Sequence, residues 1–251
     1  MILLLPAILG LLQMLFVAAF SPLLIGCIRK CKARLQGRVG ASVLQPYRDL
    51  IKLFHKDEVI AHDASWVFHV VPFVLFTITL VLASAIPILF AFPGNPASNF
   101  ILVVYLLGLS AFLLAIAGMD VGSAFGGFGS SREMTLNVFT EGVLIFSLLP
   151  LVFVAQTTNL ALMPATLHTA STIYFIPLVL AFLGFLVALV AENARIPVDN
   201  PATHLELTMI HEAMLLEYSG RYLALIEWGA SVKQLVLMVL LANIFFPFGL
   251  A

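Results

Sequence analysis

Charged residues are scarce in this chain. Only 10% of its 251 residues are Asp, Glu, Lys or Arg, whereas ordinary soluble domains carry about 25%. Hydrophobic residues make up 62% of the chain, and the mean hydropathy is +1.10. A soluble protein of this composition would have too little polar surface to face water, so the composition predicts an integral membrane protein. The formal net charge of −1 gives no electrostatic basis for binding nucleic acid.

Residues that bind metals or act as nucleophiles are also few. Two cysteines, Cys27 and Cys31, are too few for a disulfide framework or a four-cysteine zinc site. His211-Glu212 lacks the second histidine of a zinc-protease motif, and no glycine-rich loop carries the lysine of a phosphate site. The six histidines are scattered, and we expect no haem pair among them. The sequence therefore predicts no metal or redox cofactor in this chain.

Long apolar runs dominate the sequence. Six of them cover residues 2–28, 66–91, 100–119, 135–156, 172–191 and 232–248. Most exceed the roughly 18 residues that indicate a membrane-spanning helix, and spans in lipid must satisfy their own backbone hydrogen bonds. The first run follows no basic segment, so we interpret it as a span rather than a cleaved signal. The predicted fold is all-α, a single polytopic membrane domain over residues 1–251.

The connections between these runs alternate in charge. Residues 92–99 and 157–171 carry no charge, whereas the connections 29–65, 120–134 and 192–231 carry many charged residues. All Lys and Arg residues fall in, or at the mouth of, these three charged connections. The positive-inside rule then places the charged loops in the cytoplasm and the N-terminus outside. Charge gathered so fully on one side indicates that this face docks a large partner.

Two charged loops contain predicted helices. In residues 43–55, apolar positions recur at helical spacing beside a face with Arg48, Lys52 and Lys56, which predicts an amphipathic helix on the membrane surface. That helix could be a lipid-facing anchor or a docking element. In the last loop, Thr203-x-x-Glu206 is a capping-box pattern. It predicts a helix from Thr203 to about Tyr218 that stops near Gly220.

Glu141 is the most informative single residue, because it lies inside the fourth apolar run. A charged group at the centre of a span costs about 2.5–3.5 kcal/mol on insertion scales, so such groups often serve ion or proton paths. Glu133, Asn137 and Glu141 recur every four residues and form a slanted polar stripe with Thr140. A structural hydrogen bond is the alternative role for Glu141. The predicted proton path comprises Glu133, Asn137, Glu141, Glu192, Asp199, Glu206, Glu212 and Glu217.

Three loop motifs resemble a known family. They are residues 36–54 (Gln-Gly-Arg-Val-Gly-Ala-Ser-Val-Leu-Gln-Pro-Tyr-Arg-Asp-Leu-Ile-Lys-Leu-Phe), 191–199 (Ala-Glu-Asn-Ala-Arg-Ile-Pro-Val-Asp) and 217–220 (Glu-Tyr-Ser-Gly). They resemble loops of the quinone-site membrane subunit of respiratory complex I, the NuoH family. Residues 40–50 and 200–212 are more similar to one branch, the membrane-anchor subunit of energy-converting [NiFe] hydrogenases and formate hydrogenlyase (HycD/HyfC type). The resemblance covers nearly the whole chain.

This resemblance implies a membrane-anchoring and proton-coupling subunit that performs no redox reaction itself, in the inner membrane of a prokaryotic cell. The implied partners are the hydrogenase small and large subunits, iron–sulfur electron-transfer subunits, antiporter-like membrane subunits and the lipid bilayer. The nickel–iron centre and the iron–sulfur clusters would lie in those partner subunits. The expected docking residues are Arg34, Arg38, Arg48, Lys52, Arg195, Pro197, Asp199 and Arg221.

Two other functions stay open from the sequence. One is the quinone-site subunit of a complex I-type NADH dehydrogenase, although that family has fewer residues between its counterparts of Glu206 and Glu217. The other is a stand-alone secondary transporter. A transporter predicts inverted repeats with broken helices at mid-membrane, and the sequence shows no repeat.

Overall fold

The computed structural model describes residues 4–88, 95–167, 172–199 and 210–246. Over these ranges the chain is helical and contains no strand beyond one isolated bridge between Asn99 and Asn159. Nine α-helices are described: α1 (Leu4–Leu35), α2 (Gln45–Phe54), α3 (Trp66–Ala85), α4 (Phe100–Asp120), α5 (Ala124–Ala155), α6 (Met163–Leu167), α7 (Phe175–Glu192), α8 (His211–Leu215) and α9 (Gly220–Phe245).

Six of these helices are long and apolar enough to cross a membrane: α1, α3, α4, α5, α7 and α9. The prediction of an all-α polytopic membrane protein is therefore confirmed. Three spans begin at a side chain that accepts a free backbone N–H of the first turn, namely Ser65 for α3, Asn99 for α4 and Ser123 for α5. These caps satisfy donors that have no partner within the helix.

The last span completes the packing of the first three helices. Helix α9 contacts α1, α2 and α3, while α5 packs between α4 and α7. The indole N–H of Trp228 donates to the carbonyl oxygen of Ala18 at 2.8 Å, and the hydroxyls of Ser21 and Ser231 lie 3.0 Å apart. Two helices far apart in the sequence, α1 and α9, are thus joined by polar contacts inside an apolar bundle.

Charged side chains gather at one end of the bundle, which we call the polar end. It comprises the C-terminal ends of α1, α4 and α7, the N-terminal ends of α3, α5 and α9, and helices α2 and α8. At this end the Asp120 carboxylate accepts bonds from both the backbone and the hydroxyl of Ser65. At the opposite end, the buried amide of Gln13 donates to the carbonyl oxygens of Ala83 and Ile86. Neighbouring spans therefore run in alternating directions.

Two spans begin earlier than their hydropathy predicts. Helix α5 begins at Ala124 rather than at 135, so only residues 121–123 separate it from α4. Gly118 near the end of α4 and Gly126 in the first turn of α5 permit these helices to pack closely. A Cβ on Gly126 would lie 2.1 Å from the carbonyl oxygen of Gly118. Helix α9 begins at Gly220 rather than at 232. The predicted loops 120–134 and 192–231 thus contain residues that the structure places in helices.

Helix α2 lies within the predicted surface helix 43–55 and rests on the bundle. Its Pro46 is buried, its Tyr47 hydroxyl donates to the carbonyl oxygen of Ala19, and Phe54 meets Trp228 edge-on. Its position relative to the membrane surface stays a prediction. Residues 203–209 of the predicted helix from Thr203 lie outside the described ranges. In its described part, residues 210–218, the helix is limited to α8, and Gly220 begins the last span rather than ending this helix.

Candidate functional site

A cavity of about 590 Å³ opens within the polar end of the bundle. Helices α1, α2, α5, α8 and α9 and the turn after α7 contribute to its wall, which is partly apolar. Its charged and titratable lining residues are Arg29, Asp49, Glu133, Glu192, Arg195, Asp199, His211, Glu212, Tyr218, Glu227 and Lys233. Four residues of the predicted proton path, Glu133, Glu192, Asp199 and Glu212, therefore share one cavity.

An internal ion pair joins two spans at this cavity. The Nζ atom of Lys233 on α9 lies 3.4 Å from Oε1 of Glu192, the last residue of α7. The Glu192 side chain is only 5% exposed and that of Lys233 only 15%. A buried charge is costly unless it is paired, so each residue offsets the free-energy cost of burying the charge of the other.

Asp199 closes the segment that follows α7. Its carboxylate Oδ2 accepts the backbone N–H groups of Ile210 and His211 at 3.2 and 3.1 Å, at the start of α8. The residue is buried, with 5% exposure. Asp199 thus joins the turn after α7 to the start of α8, and its buried position leaves little of its surface for direct contact with a docked partner.

Glu133 connects the large cavity to a smaller one. It lies within electrostatic reach of Lys233, Glu192 and Asp199. The second cavity, of about 10 Å³, is lined by Glu133, Asn137 and Thr140 of α5 and by Glu192 and Asp199. A volume of this size has room for about one water molecule. Three carboxylates therefore lie close to one ammonium group, that of Lys233.

Glu141 continues this polar route deeper into the bundle. The Asn137 amide donates to Oε1 of Glu141 at 2.7 Å, one helical turn further along α5. Among the described residues, no lysine or arginine forms an ion pair with this carboxylate. The predicted stripe on α5 therefore forms a continuous sequence from the large cavity through Glu133 and the small cavity to Asn137 and Glu141.

His211 adds a titratable group to the cavity wall. Burial lowers its pKa to about 4, Lys233 lowers it too, and Asp199 acts in the opposite direction. The imidazole is therefore neutral near neutral pH. In the unfolded chain the histidine would titrate at about 6.5.

This difference in pKa predicts a loss of stability in mild acid. As the pH falls below about 6.5, the unfolded chain binds a proton at His211 that the folded chain binds only near pH 4, so unfolding becomes more favourable. We expect the thermal midpoint of the purified protein to fall less between about pH 7.5 and about pH 5 in His211→Gln than in the unchanged protein. The matched control is His62→Gln, at an exposed loop position. An identical pH dependence in all three proteins would contradict the assignment.

The predicted docking residues divide into two groups. Arg34, Arg38, Arg48, Lys52, Arg195 and Pro197 are exposed at the polar end. Arg195 also donates to Oε1 of Gln234 at 2.9 Å, which ties its loop to α9. Arg221 is exposed but pairs with Glu58 at 2.6 Å, so part of its charge is compensated within the chain. With Asp199 buried, the exposed basic surface comprises Arg34, Arg38, Arg48, Lys52 and Arg195, with Pro197 beside Arg195.

Of the other predicted proton-path residues, one is not described and one lies away from the route. Glu206 lies outside the described residues, and Glu217 follows α8 without lining either of the two cavities. The sequence analysis missed Lys233, which the structure places at the centre of the acidic cluster. The signal was available, because Lys233 lies at the mouth of the last apolar run, and a charge near a span is as informative as Glu141.

Comparison with known proteins agrees with this architecture. The model of the NADH dehydrogenase family matches residues 7–249. Hydrogenase-4 component C of Escherichia coli is 38% identical over 97% of this chain and 76% of its own length. Formate hydrogenlyase subunit 4 of the same organism is 36% identical over 95% of this chain and 77% of its own length.

More distant relatives share the fold. A subunit of the NADH-quinone oxidoreductase of Syntrophotalea carbinolica is 31% identical over 86% of this chain and 69% of its own length. Among solved structures, a chain of the membrane-bound sulfane sulfur reductase, an archaeal respiratory membrane complex, superposes with a TM-score of 0.79. The solved chain is 21% identical to this chain, and the match covers 96% of this chain and 78% of the solved chain. The chain therefore belongs to the NADH dehydrogenase family of membrane subunits, together with hydrogenase-4 component C and formate hydrogenlyase subunit 4.

Proposed function

We propose that this chain is the membrane-anchoring and proton-coupling subunit of a hydrogen-evolving [NiFe] hydrogenase complex. Its relatives in hydrogenase-4 and formate hydrogenlyase support the type of complex. The observation that carries the coupling role is the polar route from the large cavity through Glu133 and Asn137 to Glu141. Such a route into an apolar bundle suits proton transfer, because ionisable groups inside spans are costly without a function.

The soluble hydrogenase subunits would dock on the exposed basic surface at the polar end. The small and large hydrogenase subunits and the iron–sulfur subunits would carry the nickel–iron centre and the clusters. Antiporter-like membrane subunits would pack against the sides of the bundle. Within the described residues, no group of three or more His, Cys, Asp or Glu side chains could hold a metal ion. Proton uptake for hydrogen formation would pass close to the seated partner.

The same proposal fixes an orientation: the polar end faces the cytoplasm of a prokaryotic cell, and the N-terminus lies outside the inner membrane. Single cysteines at positions 52 and 95, in a background without Cys27 and Cys31, test it with an impermeant thiol reagent on intact cells. We expect labelling at 95 and none at 52. The reverse pattern would overturn the orientation.

Purification tests the assignment to a hydrogenase complex. The tagged chain is extracted from native membranes in mild detergent, and the subunits that co-purify are identified by mass spectrometry and assayed for hydrogen evolution. We expect hydrogenase subunits and hydrogen-evolving activity in the same fraction. A chain that purifies alone and carries no hydrogenase would indicate a stand-alone transporter instead.

A quinone-reducing complex is the second candidate function. The relation to a subunit of an NADH-quinone oxidoreductase and the partly apolar lining of the large cavity favour it. The same purified complex distinguishes the two candidates. Quinone-dependent oxidation of NADH without hydrogen evolution would favour the second, and hydrogen evolution that needs no quinone would favour the first.

A further inference from the structure

Gly108 lies in the middle of α4 and faces the carboxylate of Glu141 on α5. It is buried, and no other side chain stands between its backbone and Glu141. A Cβ atom built on Gly108 would lie 1.8 Å from Oε1, 2.6 Å from Cδ and 3.4 Å from Oε2 of Glu141. The carboxylate therefore occupies the volume that any other residue at position 108 would fill with its own side chain.

This contact differs from ordinary close packing at glycine. At Gly118 the nearest atoms belong to Ser130 and Met214, and at Gly126 the nearest is a carbonyl oxygen. Among the glycines in the described part of the chain, only Gly108 has an acidic side chain in the position of its missing Cβ. Small residues often allow membrane helices to approach each other, but here the space holds a functional group rather than a neighbouring backbone.

We propose that Gly108 is a positioning residue for Glu141, whose missing side chain forms the seat of the carboxylate between α4 and α5. This inference rests on the proposed proton-coupling function and names a second residue on which that function depends. Because position 108 has no side chain, Oε1 of Glu141 lies 2.7 Å from the amide nitrogen of Asn137. The carboxylate is thereby connected to the route from the large cavity. Glycine is unfavourable in a helix interior relative to alanine, and a role of this kind would explain its presence at position 108.

An alanine at position 108 would force the carboxylate to move. Because the carboxylate is the end of a flexible side chain, it would rotate away from the new Cβ atom and from its present contact with Asn137. The hydrogen bond at 2.7 Å would then be broken, and the last step of the route would lengthen. A misplacement of about 1 Å in such a site can cost roughly 100-fold in rate.

The test compares Gly108→Ala with Gly142→Ala in the intact complex. Gly142 is the matched control, because it adjoins Glu141 on α5 and a Cβ there would meet nothing within 4 Å. We expect Gly108→Ala to lower hydrogen evolution about tenfold or more, while Gly142→Ala stays within about twofold of the unchanged complex. Where Glu141→Gln is itself inactive, equal activity in the two alanine variants would overturn the proposal.

A chemical probe separates positioning from general packing. A hydrophobic carbodiimide modifies carboxyl groups in apolar surroundings, and mass spectrometry reports how much of Glu141 has reacted. We expect the rate of labelling at Glu141, and its pH profile, to change in Gly108→Ala and to stay unchanged in Gly142→Ala. A role in helix packing alone would lower the yield of the complex without moving the pH profile, and that result would overturn the proposal.

Two further variants keep the test decisive if Gly108→Ala accumulates poorly. Combining it with Glu141→Ala removes the side chain that conflicts with the new Cβ, so the yield should recover. Combining it with Glu141→Asp retracts the carboxylate by one methylene and should restore part of the activity. No recovery in either double variant would show that the conflict lies elsewhere and overturn the proposal.

These experiments test the role of Glu141 in proton transfer and the positioning role of Gly108 separately. If Glu141→Gln retains full activity but Gly108→Ala alters the labelling of Glu141, the positioning role stands and the proposed role of Glu141 fails. If Glu141→Gln is inactive and Gly108→Ala changes neither labelling nor activity, the proton route stands and the seat fails.

Discussion

Replacing Lys233 with methionine is expected to destabilise the chain by about 3–5 kcal/mol and to reduce the amount that accumulates in the membrane severalfold. Lys233 pairs with Glu192 at 3.4 Å, and the Glu192 side chain is 5% exposed. Methionine fills a similar volume but leaves the carboxylate buried without its cation, which costs more than the loss of the pair itself. The measurement is the yield of chain extracted from membranes and the thermal midpoint of the extracted complex.

Three further variants show whether the pairing of charge causes this effect. Lys233→Arg keeps the cation and should retain most of the yield. Adding Glu192→Gln to Lys233→Met removes the unpaired charge, so most of the loss should be recovered. Lys56→Met, at an exposed position, should have no effect. A double variant that is no better than Lys233→Met alone would show that the ion pair is not the cause.

Glu141→Gln is expected to lower hydrogen evolution and the linked proton movement by about tenfold or more, at an unchanged yield of complex. Glutamine has nearly the same shape and can still accept the hydrogen bond from Asn137, but its amide does not take up and release a proton. The measurement combines the rate of hydrogen evolution with the proton uptake of sealed membrane vesicles.

The alternative role for Glu141 predicts a different result. If Glu141 serves only as a structural hydrogen-bond acceptor, Glu141→Gln would cause little loss of activity. Alternatively, the substitution would reduce the yield of the complex rather than its rate of hydrogen evolution. Asp63→Asn is the matched control, an acid made neutral at an exposed loop position. Full proton movement in Glu141→Gln would remove this residue from the route.

The sequence predicted the spans well because hydropathy measures what lipid requires. Each of the six apolar runs overlaps a helix long enough to cross a membrane. Hydropathy did not locate the starts of α5 and α9, since Gly126 and Glu227 are unfavourable in lipid yet lie in helices. Both residues face the packed interior or the cavity rather than lipid, so they do not carry the free-energy cost of contact with lipid. The hydropathy of the sequence does not show these tertiary contacts.

The candidate site was predicted in part for a similar reason. The four-residue spacing of Glu133, Asn137 and Glu141 on α5 follows from helix geometry, and the stripe is present as predicted. The role of Asp199 as the acceptor for Ile210 and His211 depends on how the chain returns after α7, which spacing does not encode. The sequence did not predict the seat at Gly108 either, because it does not show which face of α4 packs against α5.

The late position of α9 in the chain has a consequence for biogenesis. Spans enter the membrane in the order of synthesis, so α1 and α3 are inserted long before α9, the helix they pack against, exists. Until then the Ser21 hydroxyl and the Ala18 carbonyl lack their partners Ser231 and Trp228. The N-terminal helices therefore stay open to chaperones and membrane proteases through most of translation. Newly made chains that stop before α9 are expected to be substrates for degradation rather than for assembly.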